Sequence, residues 1–76
     1  MRVLIVEDEH KIAAYVKRGL EEQSYAVDVV YNGREALDWA ETAPYDVIIL
    51  DILLPELDGL SACRELRRRG LHTPID

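Results

Sequence analysis

The apolar positions change period several times along the chain, and the periods alternate. Val3-Leu4-Ile5-Val6 is a continuous apolar run, β-branched at three of its four positions, which suits a strand covered on both faces of a parallel sheet. From about residue 9 to 23 the period becomes helical. Ile12, Ala13, Val16 and Leu20 share one face, and Lys11, Lys17, Arg18, Glu21 and Glu22 point elsewhere, the pattern of an amphipathic helix. Gln23-Ser24-Tyr25 forms the exit. Ala26-Val27-Asp28-Val29-Val30 then alternates in part, as strands nearer a sheet edge do. Asn32-Gly33 is a turn signal ahead of a second helix at about 34–43, with Ala36, Leu37 and Ala40 inward and Trp39 off the stripe. Pro44 stops that helix. Val47-Ile48-Ile49-Leu50 is the most apolar stretch, expected as a central strand, and Asp51 ends it abruptly. After a loop containing Pro55 and Asp58-Gly59, a third helix runs to about Arg69 on an expected inner stripe of Leu60, Cys63 and Leu66, with Gly70 as its C-cap. Residues 71–76 read as a loop leading into a further strand.

The order β-α-β-α-β-α places the chain in the α/β class, with a parallel sheet and right-handed crossovers. The two continuous apolar strands, 3–6 and 47–50, are expected as neighbours in the middle of the sheet, with 26–30 outside them. No linker, low-complexity tract or repeat beyond the β–α unit interrupts residues 1–76, which read as one domain or part of one.

Composition adds a tension. At 76 residues the chain is short for a domain, yet 49% of it is apolar. Folding at this size buries only about 60% of the unfolded surface, and small domains often add disulfides or metal staples. Cys63 is the sole cysteine, so no intramolecular disulfide forms. Cys63, His10 and His72 share no zinc-ligand spacing. An unpaired cysteine fits a reducing, cytoplasmic setting. No apolar run approaches the ~20 residues that span a bilayer, and the amino terminus lacks a signal-peptide core and cleavage site.

The formal net charge is −6, the opposite of a free-standing nucleic-acid binder. All of that excess lies in residues 1–55, where 5 basic side chains face 11 acidic ones; residues 56–76 carry 4 of each. In an open parallel sheet ligands bind beyond the carboxyl ends of the strands. Both expected central strands end there in acids: Glu7-Asp8 after the first and Asp51 after the third. If the strands are adjacent, three carboxylates converge, and like charges that close cost free energy unless compensated. Mg²⁺, which takes one or two carboxylates and leaves room for phosphate oxygens, is the natural compensator. An Asp beside it can act as a nucleophile toward phosphorus. Acids at strand-to-helix junctions also serve as N-caps, so Glu7-Asp8-Glu9 reads equally as a capping cluster. Asp51, a single charge between apolar stretches, fits a solvated loop less well.

Leu4-Ile5-Val6-Glu7-Asp8-Glu9, Tyr45-Asp46-Val47-Ile48-Ile49-Leu50-Asp51-Ile52-Leu53-Leu54-Pro55 and Asp58-Gly59 together resemble a response-regulator receiver domain of two-component signalling. The resemblance covers the whole chain and is strongest to receivers attached to winged-helix transcription factors. It implies a flavodoxin-like, doubly wound sheet and a cytoplasmic phosphoprotein. Asp51 matches the phospho-acceptor, and Glu7 and Asp8 match the acidic pair that holds Mg²⁺, Asp8 directly and Glu7 through water. Leu53 matches the position whose main-chain carbonyl completes the protein ligands. The implied phosphate source is a phosphohistidine on a sensor histidine kinase, and the phosphoryl group is later lost to water. Such domains are not classed as turnover enzymes. DNA enters only through an output domain, which these 76 residues do not contain.

The family fold has five β–α units, and this chain is expected to supply three and the lip of a fourth. The switch Ser or Thr and the phosphate-binding Lys lie beyond it. Thr73 precedes the fourth strand, and Lys11 and Lys17 sit on the first helix, so none of them substitutes. Strand 47–50 is expected as an open edge and the first helix as short of a neighbour. Together these predict an unstable fragment or one rescued by self-association, as a dimer or by exchanged elements. Mg²⁺ binding and phosphorylation are expected to be weak in it. Two other readings stand beside this one: a Mg²⁺-dependent phosphohydrolase with Asp51 as nucleophile, and an association module with a vestigial site. Against the hydrolase, Leu53 occupies the place where such enzymes commonly carry a second Asp. Arg64, Arg67, Arg68 and Arg69 read as cations complementing a helix C-terminus, Cys63 as core, and His10 and His72 as exposed.

Overall fold

The computed structural model describes residues 1–51, 54 and 56–76. Three parallel strands, β1 (Arg2–Val6), β2 (Ala26–Val30) and β3 (Val47–Leu50), alternate with α1 (His10–Glu22), α2 (Gly33–Thr42) and α3 (Gly59–Arg68). The sheet order is β2-β1-β3, so the two apolar runs are neighbours and 26–30 lies outside, as their patterns require. Val3, Leu4, Ile5 and Val6 are all 2% exposed or less, which explains why this strand reads as an unbroken apolar run.

Alternate residues serve two half-cores. Leu4, Val6, Val30 and Ile48 face Ala36, Leu37 and Ala40 of α2 and Leu66 of α3. Val3, Ile5 and Val27 pack on the other face with Val16 and Leu20 of α1. Strand 47–50 differs from expectation in two respects. Only Ile48 is fully buried, the others being half-buried. Its outer edge is also not open: Ile48 N donates to Pro74 O at 2.9 Å, Leu50 N to Asp76 O at 3.0 Å and Asp76 N to Ile48 O at 2.9 Å. Residues 74–76 thus begin a further parallel pairing, centred on Ile48 and Ile75. The expected uncovered apolar surface does occur on the α1 side, where Ile12, expected inward, is 51% exposed.

The inner face of α3 is also turned from the expected stripe. Gly59, Ala62 and Leu66 are buried, Cys63 is half-buried and Leu60 is 58% exposed. Small residues bring this helix close to its neighbours, and Leu60 in the first turn is left outside.

Helix ends follow side-chain chemistry. Asn32 Oδ1 accepts from Glu35 N at 2.8 Å and its amide donates to Glu35 Oε1 at 3.2 Å, a reciprocal capping arrangement. Asp58 caps α3, with Oδ1 accepting from Ser61 N at 2.9 Å. Gly70 (φ 85) lies just past the end of α3, where a left-handed residue lets Leu71 N reach Leu66 O at 3.1 Å. The arginines are absorbed nearby. Arg67 donates to the carbonyls of Leu71 and Thr73, both at 2.9 Å, tying down the turn that leads to Ile75. Arg68 and Arg69 pair with Glu65, and Arg69 also reaches Glu41 at 2.8 Å. These bonds, the Arg68 bond first, hold the Glu65 carboxyl down to about 2.

A polar staple with no signature in the sequence pattern ties the starts of β1 and β3 to Asp28 in the middle of β2. Tyr45 OH donates to Asp28 Oδ2 at 2.7 Å, Arg2 donates to the same oxygen at 3.2 Å, and Arg2 N donates to Asp46 Oδ2 at 2.7 Å. The Arg2 guanidinium also sits 5.5 Å from the Tyr45 ring centroid. Burial, and then the bond to Asp28, push the Tyr45 hydroxyl up to about 12. The Tyr45 hydroxyl bond, and then Arg2, hold the Asp28 carboxyl below its ordinary 3.8. A carboxylate lowered on folding adds stability above its unfolded pKa and loses it as the pH falls through the folded value. The near-isosteric Asp28→Asn is therefore expected to cost about 1–2 kcal/mol at neutral pH. Denaturant melts across pH should show that difference shrinking once the pH drops below about 3.8.

Candidate metal and phospho-acceptor site

The β1–β3 register pairs Val6 with Leu50, so the next residue on each strand, Glu7 and Asp51, emerges at the same level of the sheet edge. The ladder holds both backbones: Glu7 N donates to Val30 O at 3.1 Å and Asp51 N to Val6 O at 3.0 Å. Asp8 follows directly. One carboxylate oxygen from each of Glu7, Asp8 and Asp51 can be chosen so that all three lie within 4.8 Å of one another. Glu7 and Asp51 are half-buried and Asp8 is exposed. Leu53, expected to offer its main-chain carbonyl, lies outside the described residues.

The capping reading of the acidic run is met in part and by a different residue. Glu9 occupies the N-cap position of α1 but makes no side-chain cap bond. Glu7 Oε2 instead accepts from Glu9 N at 3.1 Å. Burial raises the Glu7 carboxyl above its usual range; the Glu9 N–H opposes this, and the Asp51 and Asp8 carboxylates add to it. The Glu7 carboxyl thus sits beside two other acids in a crevice that disfavours its charge.

The surroundings are asymmetric. On the α1 side, Glu7 and Asp51 stand at the lip of a cleft of about 190 Å³ floored by Ile5, Ala13, Val16 and Ile49. At the end of β2, the Tyr31 ring stacks on His10 with centroids 4.0 Å apart and planes 13° apart. Both rings belong to exposed residues, so His10 lies outside the core as expected. The Tyr31 contact had no signal in the pattern, since an isolated tyrosine after a strand is common. On the α2 side, Gly33 lies against the backbone of Leu57, in the segment between Asp51 and α3.

The donor set suits a hard divalent cation: carboxylate oxygens on a fixed sheet edge, with an exposed side left for water or phosphate. Asp51 projects from a strand end, where a nucleophile is reachable from solvent.

Comparison with known proteins agrees with this geometry. The family model "Response regulator receiver domain" matches residues 3–75. The chain is 41% identical over 75 residues to the transcriptional regulatory protein TcrA of Mycobacterium tuberculosis, covering 99% of this chain and 30% of that protein. It therefore spans about a third of the length of such relatives. Among solved structures, it is similar to the receiver domain of the sensor histidine kinase PA1611 from Pseudomonas aeruginosa, described with magnesium coordinated in the active-site cleft. That match has a TM-score of 0.92 and 38% identity, and covers 97% of this chain and 62% of that one. A chain in the complex of histidine kinase ThkA with response regulator protein TrrA matches with a TM-score of 0.89 and 38% identity, covering 97% and 64%.

The crowding of carboxylates makes the cluster a source of instability when no cation is present. Asp51→Asn or Glu7→Gln is expected to raise stability in magnesium-free buffer by roughly 1 kcal/mol. In a domain of this size that is a melting-temperature rise of about 4–8 °C. Thermal melts with a chelator check it, and unchanged or lower melting in both variants would speak against mutual repulsion.

Proposed function

Because the chain belongs to the response regulator receiver domain family, we propose that Asp51 is its phospho-acceptor and that Glu7, Asp8 and Asp51 form its Mg²⁺ site. The observation that carries this reading is the convergence of those three carboxylates at one sheet edge. Asp8 and Asp51 would bind the ion directly, Glu7 through water, and the Leu53 carbonyl would complete the protein ligands. Bound there, Mg²⁺ supplies positive charge that relieves the carboxylate crowding and neutralises phosphoryl oxygens.

The chain's own residues perform the transfer. An Asp51 carboxylate oxygen attacks the phosphorus of a phosphohistidine. An O–P bond forms, the N–P bond of the donor breaks, and the electron pair leaves with the imidazole. Loss to water reverses the state: water adds at phosphorus, the acyl phosphate O–P bond breaks, and inorganic phosphate and the Asp51 carboxylate remain. The ladder bonds to Glu7 and Asp51 hold the nucleophile on a rigid edge. The chain is then a carrier that is modified once per signal, not a turnover enzyme.

The donor is proposed to be a sensor histidine kinase, supported by the similarity to the ThkA–TrrA complex. Transcription regulation is proposed for the whole protein, with DNA reached through an output domain, supported by the likeness to TcrA. No helix among the described residues is long and apolar enough to cross a membrane, and a cytoplasmic location is proposed on the free cysteine and the kinase partner. Self-association is proposed as a secondary property, supported by the exposed Ile12 and the half-buried Val47 and Ile49 on the α1 side.

Incubation of the full protein with Mg²⁺ and a small phosphodonor tests the reading by intact mass. One phosphoryl group per chain is expected, absent in Asp51→Ala and absent when a chelator removes the metal. Phosphorylation persisting in Asp51→Ala would contradict it. So would steady phosphate release over many turnovers, the signature of the hydrolase reading.

A further inference from the structure

Two of the three acids of the site lie on a short span that β2 and the residue after it hold at both ends. Glu7 N donates to Val30 O at 3.1 Å, which ties the start of the span to the last residue of β2. Three residues on, the His10 ring stacks on Tyr31, the residue after Val30, with centroids 4.0 Å apart and planes 13° apart. Asp8 and Glu9 are all that lies between the two attachments. The second attachment matters because α1 begins there with little else to hold it. Glu9 stands at the N-cap position and makes no side-chain cap bond, whereas Asn32 and Asp58 do so for α2 and α3. Ala13 is the one buried residue of α1, and Ile12 before it is 51% exposed. An uncapped first turn frays. If the bond from Ala13 N to Glu9 O, 3.0 Å long, opens in that way, Glu9 and Asp8 are released with it. The ring stack fastens the turn where a capping side chain is absent.

From this bracket we infer that Tyr31 is a positioning residue for the metal site: by stacking on His10 it closes the first turn of α1 and keeps the Asp8 carboxylate beside those of Glu7 and Asp51. The inference rests on the reading of Glu7, Asp8 and Asp51 as a Mg²⁺ site. Tyr31 is not a ligand in that reading and acts through His10 and the backbone of residues 8 and 9. Its effect is bounded by the free energy of one aromatic stack, which corresponds to roughly a three- to ten-fold change in an equilibrium.

The test is a Mg²⁺ titration of the full protein followed by backbone amide shifts in NMR, with a thermal melt of every variant. Tyr31→Ala should weaken Mg²⁺ binding roughly three- to ten-fold and speed exchange of the Ala13 amide before any metal is added. Tyr31→Phe keeps the ring and should stay within about two-fold of the parent, below that scale. His10→Ala should weaken binding as Tyr31→Ala does, and the two together should cost no more than either alone, because one contact is lost in all three. Asp28→Asn is the control. It disturbs the bonds from Tyr45 and Arg2, so it should lower melting and leave Mg²⁺ affinity within about two-fold of the parent, again below the scale of the stack. Parent-like affinity in Tyr31→Ala would overturn the inference. Equal weakening in Tyr31→Phe and Tyr31→Ala, additive losses in the double variant, or equal weakening in Asp28→Asn would each do the same. Failure of Tyr31→Ala and His10→Ala to fold would also overturn it, since the stack would then support the fold and not the site. A parent protein that binds no Mg²⁺ would instead remove the reading of the site itself, and the inference with it.

Discussion

The parallel pairing of β1 with β3 is the constraint from which the rest follows. Once Val6 stands opposite Leu50, the chain has no freedom to keep Glu7 and Asp51 apart, because both leave the same edge of the same ladder. Hydrophobic burial sets that register. Shifting β3 by one residue would turn Ile48 out of the α2–α3 core and present Val47 or Ile49 in its place. The free energy that fixes the apolar strands thus also forces acids into proximity that their charges oppose. Burial first, and the neighbouring Asp51 and Asp8 carboxylates after it, raise the Glu7 carboxyl. A cluster held together by burial and crowded by charge fits the cation and phosphoryl site proposed for it.

The two ends of the sheet use opposite electrostatic solutions. Toward the amino end, Asp28 receives hydrogen bonds from Tyr45 and Arg2, and its charge is satisfied inside the protein. At the carboxyl end, Glu7, Asp8 and Asp51 face one another, and Glu7 accepts the Glu9 N–H. Charge is satisfied at the first end and concentrated at the second, the end beyond which ligands collect in open α/β sheets.

Most of the architecture was legible because it rests on period. The three strands, the three helices and the adjacency of 3–6 to 47–50 follow from runs and stripes of apolar residues, and the site follows from which residues end those runs. What period could not show depends on geometry between elements. The inner face of α3 is offset from the Leu60, Cys63, Leu66 stripe because Gly59 and Ala62 permit a closer approach than leucine would, and sequence spacing carries no information on approach distance. The edge of strand 47–50 was expected to be open because the later β–α units of the family fold lie beyond residues 1–76, yet Pro74-Ile75-Asp76 makes three ladder bonds to it. The staple of Arg2, Asp28 and Tyr45 joins residues far apart in sequence whose types are unremarkable alone. Gly33 was visible only as half of a turn signal, and its contact with Leu57 requires the folded chain to be seen.

The central claim is that Glu7, Asp8 and Asp51 act together as one cation and phosphoryl site, not as three of the fifteen acids of a negatively charged chain. Replacing Mg²⁺ with trace Mn²⁺ and mapping paramagnetic broadening of the backbone amides tests it most directly. The account predicts broadening centred on Glu7, Asp8, Glu9 and Asp51 at low metal, removed by excess Mg²⁺. Broadening spread evenly over the other acidic stretches, such as Glu21-Glu22 and the Glu41–Glu65 surface, would contradict it.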